Sequence, residues 1–109
     1  MKVNELQQFL NLESLNEADM NREITGGYAG DLLSWVMGRA QSGNVWVTIM
    51  TNQNILAVAS LADVSCIIIA ENSEIAPSLV ESAREQEITL FRSPETTFSL
   101  CTEIGNLLR

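Results

Sequence analysis

The chain has 109 residues, 46% of them hydrophobic, and 6 basic against 14 acidic side chains give a formal net charge of -8. Such a length and apolar content suit a single domain over residues 1–109 with a buried core, and they exclude a disordered chain. The negative field opposes polyanions, so neither nucleic acid nor an acidic membrane surface is expected as a partner.

The absence of histidine removes imidazole acid–base chemistry and most zinc sites, and no metal or other cofactor is expected. Cys66 opens the apolar run "CIIIA" and Cys101 lies in an amphipathic segment; without a CxxC spacing, both read as small buried hydrophobes. No apolar run approaches the ~18 residues of a membrane span, and the N-terminus lacks a leader pattern. A cytoplasmic protein is expected.

In chain order, Val3, Leu6, Phe9 and Leu10 sit at helical spacing and predict a first helix over 2–10. "NLESLN" reads as a short strand with Leu12 and Leu15 as its apolar members. After the polar "EADMN" comes the β-like "REIT" (22–25), and Gly26-Gly27 then predict a tight turn. Leu32, Leu33, Val36 and Met37 make the stripe of a second helix, with Asp31 as its expected N-cap and Gly43 near its end.

From there the rhythm is regular. "VWVTIM" (45–50), "CIIIA" (66–70) and "ITLF" (88–91) are strands, the first two nearly continuously apolar, as for strands covered on both faces. "ILAVASLAD" (55–63), "APSLVESAREQE" (76–87) and the segment after Pro94 are helices, with Pro77 near a first turn. Strand–helix units in series predict parallel pairing. The fold class expected is an α/β three-layer sandwich, with a mostly parallel central sheet of about 4–5 strands and helices on both faces.

Two loops are candidate ligand sites. At Gly26-Gly27 an anion could approach the backbone, helped by the charge of Arg22 and the hydroxyl of Thr25. The spacing is neither GxGxxG nor a P-loop, and Asp31 stands where a phosphate charge would go, so a structural turn competes with that reading. "TNQN" offers Thr51, Asn52 and Asn54 at the end of the first long strand, where open α/β sheets bind ligands. Helix capping competes with binding there. If both loops reach one sheet edge, they form a single crevice. The carboxylates are scattered as on a solvated face, and no serine has a nucleophile setting, so no catalytic residue is expected. Trp35 and Trp46 read as core residues, with an interface as the alternative use of so large a side chain.

"NREITGGYAGDLLSWVM" followed by "VWVTIMTNQNILAVASLADVSCIIIA" resembles the DRTGG domain family over nearly the whole chain, with Arg22, Thr25, Gly26 and Gly27 as its signature. Asn21 stands where the family name calls for Asp. Such domains occur with CBS pairs in a class of inorganic pyrophosphatases and within long phosphotransacetylases. A related fold forms the N-terminal domain of HPr kinase/phosphorylase, whose kinase chemistry belongs to a separate P-loop domain. The resemblance therefore implies a non-catalytic module that assists or regulates an enzyme and self-associates as a homodimer. The partner enzyme would be encoded nearby. The alternative is a sensor for a nucleotide or other small phosphorylated ligand.

Overall fold

The computed structural model describes residues 1–109. In chain order the elements are helix α1 (Val3–Leu10), strands β1 (Glu13–Asn16) and β2 (Gly26–Ala29), helix α2 (Leu33–Arg39), strand β3 (Asn44–Thr48), helix α3 (Asn54–Ala62), strand β4 (Cys66–Ile69), helix α4 (Pro77–Glu85), strand β5 (Leu90–Arg92) and helix α5 (Thr97–Leu107). The β-branched runs that predict buried strands occupy the middle of the sheet, and every residue of β3 and β4 is buried.

The five-stranded sheet has the order β1-β5-β4-β3-β2. Strands β2 to β5 are parallel to their neighbours, and β1 closes one edge antiparallel to β5. Alternate side chains of the central strands supply two cores. Trp46, Ile67 and Ile69 point into one, beneath Val36 of α2, Ile55 of α3 and Leu79 of α4. Val45, Val47 and Ile68 point into the other, beneath Leu6 of α1 and Leu100 and Ile104 of α5. The α/β sandwich expected from the sequence is therefore the fold, with helices on both faces. No helix is long and apolar enough to cross a membrane.

This topology bears on where a ligand could sit. From β2 to β5 each strand is laid beside the last in one direction, and the intervening helices α2, α3 and α4 all cover the same face. The order never reverses among the parallel strands. The crevice that doubly wound sheets open at a topological switch point is thus absent.

Several local expectations are corrected. Gly26 and Gly27 make no turn: they are extended and begin β2, in register with Asn44 and Val45. The β-like "REIT" is not the strand; within it only Glu23 bridges, antiparallel to Lys2. Glycine is tolerated in β2 because it is an edge strand, and at Gly26 a Cβ would press on the Asn44 side chain, 3.3 Å from its Nδ2. Asp31 does not cap α2, whose N-cap is Leu32. Its carboxylate instead accepts from Thr48 Oγ1 at 2.8 Å and from the Ile49 N–H at 2.9 Å, pinning the end of β3. Trp46 is wholly buried, as expected, but Trp35 is 51% exposed, with the Arg39 guanidinium 3.7 Å over its ring. Cys66 is buried, whereas Cys101 faces solvent on α5.

Candidate functional site

The signature residues Arg22, Thr25, Gly26 and Gly27 come together at the amino ends of the parallel strands. Arg22 runs across the loop between α3 and β4, where its Nη1 donates to Asp63 Oδ1 at 2.9 Å and its Nη2 to the Asp63 carbonyl at 2.8 Å. Nη2 also lies 2.9 Å from Asp63 Oδ2, so both carboxylate oxygens are engaged by the guanidinium fork. Ser42, in the loop between α2 and β3, donates to Asp63 Oδ2 at 2.5 Å. Asp63 itself sits in the left-handed conformation that ends α3.

Thr25 ties the same loops from the other side. Its hydroxyl donates to the Ser42 carbonyl at 2.7 Å and accepts from Asn44 Nδ2 at 3.2 Å. Its N–H donates to the Gly43 carbonyl at 3.1 Å, and the Gly43 N–H donates to the Asp63 carbonyl at 2.8 Å. Arg22, Thr25, Ser42, Gly43 and Asp63 form one bonded brace joining the start of β2 to the loops that precede β3 and β4. Sequence reasoning identifies Arg22 and Thr25 but not Asp63 or Ser42, because the Arg22–Asp63 pair spans 41 positions and has no local signature.

The electrostatics follow from these contacts. The hydrogen bonds from Arg22 and then Ser42 hold the Asp63 carboxyl below its ordinary value, while partial desolvation opposes them weakly. A carboxyl whose pKa is depressed by folding contributes stability above its unfolded value, about 3.9, and loses it as pH falls through the folded value. Acidification below about pH 4 is therefore expected to destabilise the wild type more than Asp63→Asn. The pair is half exposed, so the difference should stay near 1 kcal/mol or below. Urea titrations of both chains at pH 5 and pH 3 measure it, and equal losses would contradict the assignment.

This end of the sheet is poorly suited to a free anion. A cavity of about 270 Å³ opens there, and Asp19, Asp63 and Glu87 line it against the single cation Arg22. That cation is already committed to Asp63, so an entering phosphate would meet net negative charge.

The other candidate loop lies elsewhere. Thr51, Asn52 and Asn54 follow the carboxyl end of β3, whereas Gly26 aligns with Asn44 at its start. The four residue steps of β3 alone separate the two loops by about 13 Å. They do not form one crevice. Asn52 Oδ1 accepts from the Asn54 N–H at 2.9 Å, a turn that starts α3. Thr51 borders a shallow concavity of about 350 Å³ with Glu74, Ile75, Ala76 and Pro77. Neither loop gathers three or more metal-ligating side chains, nor does any other part of the chain.

Comparison with known proteins sets this geometry in context. The family model described as HPr serine kinase N terminus matches residues 48–108. No curated protein matches the chain. Among solved structures, the chain is similar to the CBS and DRTGG domains of the regulatory region of a Clostridium perfringens pyrophosphatase, complexed with the activator diadenosine tetraphosphate. The superposition has a TM-score of 0.73 at 14% identity, covering 94% of this chain and 45% of that one. At that identity the likeness shows the fold, and this chain spans less than half of the solved regulatory region.

Proposed function

The chain belongs to the HPr serine kinase N-terminus family, and from that premise we propose that it is a non-catalytic regulatory module. In this reading it works in the cytoplasm as a homodimer and assists or regulates a partner enzyme encoded near it. The observation that carries the reading is how the polar and apolar groups are distributed. The signature polar groups are bonded to one another in the brace, while large apolar side chains are left on the surface. On and beside α2, Leu32 is 57%, Trp35 51% and Met37 50% exposed. Ile49, whose N–H is tied to Asp31 next to Leu32, adds to the same region. A half-exposed tryptophan with a guanidinium over its ring is the kind of residue that dominates binding energy in protein interfaces.

The test is to add the purified domain to the enzyme encoded beside it and measure that enzyme's steady-state rate. The rate is expected to change saturably, and Trp35→Ala should weaken the half-maximal concentration at least about tenfold, as for a hot-spot residue. A rate unchanged by tens of micromolar domain would overturn the reading.

A small-ligand sensor is the second reading. It is favoured by the diadenosine tetraphosphate bound in the regulatory region of the similar pyrophosphatase. On this chain the ligand would have to use the concavity at Thr51, where Glu74 is the one charged lining side chain. A carboxylate there opposes phosphate, which sets this reading behind the first.

A further inference from the structure

The two edges of the sheet are finished differently. At the β1 edge the register is broken between Ser14 and Asn16, and Glu13 brings a charge to it. Asn16 Nδ2 donates to the Ile88 carbonyl at 2.8 Å and to the Ala83 carbonyl at 3.3 Å, tying that edge to α4. Irregularity and charge are the devices by which edge strands avoid pairing with another chain. The β2 edge has none of them. Its sequence is Gly26-Gly27-Tyr28-Ala29, without charge, proline or bulge, and its register with β3 is unbroken.

Beside that edge, α5 covers the sheet incompletely. Gly27 and Ala29 from β2 and Cys101, Gly105 and Leu108 from α5 line an open cleft of about 200 Å³. Glycine at both 27 and 105 leaves the space unfilled, and a Cβ at Gly105 would meet nothing within 4 Å. No residue lining this cleft is charged. Each of the other concavities carries carboxylates: Asp19, Asp63 and Glu87 in one, Glu103 in another, Glu74 in the third.

The charge decides the occupant. Two copies of a chain with net charge -8 repel across most of their surfaces, so self-association needs a neutral face. The β2–α5 face is neutral, small-residued and bounded by unpaired backbone, which a second strand satisfies by antiparallel addition about a two-fold axis. We propose that a second copy of this chain docks here, its β2 pairing antiparallel with the first β2 to join the two sheets. The α5 helices then meet across the cleft at Cys101 and Gly105.

The proposal rests on the homodimer reading and names the surface that serves it. Gly105→Glu places a carboxylate in the cleft where the free chain has open space, and replaces glycine by a better helix former, so the monomer should fold at least as well. Gly38→Glu on α2, also open and exposed, is the control for added charge. Sedimentation velocity across a concentration series reads the dimerisation Kd for each chain. The expected result is a wild-type dimer, a Kd raised at least tenfold by Gly105→Glu, and a Kd within twofold of wild type for Gly38→Glu. Maleimide labelling of Cys101 should also slow as the wild type dimerises, while buried Cys66 stays silent. A dimer untouched by Gly105→Glu would overturn this surface and leave the homodimer standing. A wild type that stays monomeric at every concentration would overturn the homodimer reading itself, and this surface with it.

Discussion

Replacing Gly43 by alanine is expected to destabilise the fold by about 2–4 kcal/mol, combining left-handed backbone strain with a steric conflict. Gly43 has φ +84°, and a Cβ built there would stand 2.7 Å from Thr25 Cγ2 and 2.9 Å from Thr25 Oγ1. Thr25 cannot yield cheaply, because its hydroxyl holds both the Ser42 carbonyl and Asn44 Nδ2. Relief of the clash must therefore break part of the brace. Thr25→Ser removes the conflicting methyl and keeps the hydroxyl, so it should recover part of the Gly43→Ala loss. A double-mutant cycle by urea denaturation is expected to give a coupling of about 1 kcal/mol between the two sites. Additive effects would mean that the loss is backbone strain alone.

Trp46→Ala should cost about 3–5 kcal/mol, the range for removing a fully buried large aromatic side chain. Trp46 lies in the middle of β3, wholly inaccessible, between the helices α2 and α3 and the neighbouring strands. Its Nε1 donates to the Gly30 carbonyl at 2.9 Å, fixing the segment that leaves β2. Trp46→Phe keeps most of the volume and loses only that bond, so its cost should be nearer 1–2 kcal/mol. Fluorescence offers an independent check. Trp46→Ala leaves half-exposed Trp35 as the sole tryptophan, so native emission should move to the red. A chain that loses less than 1 kcal/mol would contradict the packing described, given the expected range.

The second half of the chain was the legible half. Runs such as Cys66–Ile69 are buried on both faces and are bounded by helices with Ala-rich or proline-started sequences, so periodicity and end signals agree. What escaped the sequence depended on contacts between distant segments. Gly26-Gly27 looked like a turn because glycine usually punctuates a chain. Here it begins an edge strand, where a side chain at Gly26 would press on Asn44. Asp31 looked like a cap because it precedes a helical stripe, yet its partners are Thr48 and Ile49 across the sheet. Apolar periodicity could not show that the exposed side of α2 would carry Trp35 rather than bury it. The order of strands, and with it the separation of the two candidate loops, has no sequence signal.

The candidate site was half legible for the same reason. The resemblance marked Arg22 and Thr25 as residues of consequence, and the structure makes them members of a bonded network. Their chemistry could not be read, since a guanidinium and a hydroxyl beside glycines suit a phosphate as well as they suit Asp63. Asp63, Ser42 and the carboxylates of the neighbouring cavity, all brought in by tertiary structure, favour the second use.

We propose that the signature residues Arg22 and Thr25 brace the fold rather than bind an anion. Urea denaturation of the wild type and Arg22→Ala, with and without millimolar diadenosine tetraphosphate, separates the two roles. Arg22→Ala should lose about 1–3 kcal/mol, as when one partner of a multiply hydrogen-bonded charged group is removed. The nucleotide should shift neither chain, because a ligand stabilises only the state that binds it. Wild-type stabilisation by the nucleotide that disappears in Arg22→Ala, with little change in the ligand-free stability, would make the signature a nucleotide site instead of a brace.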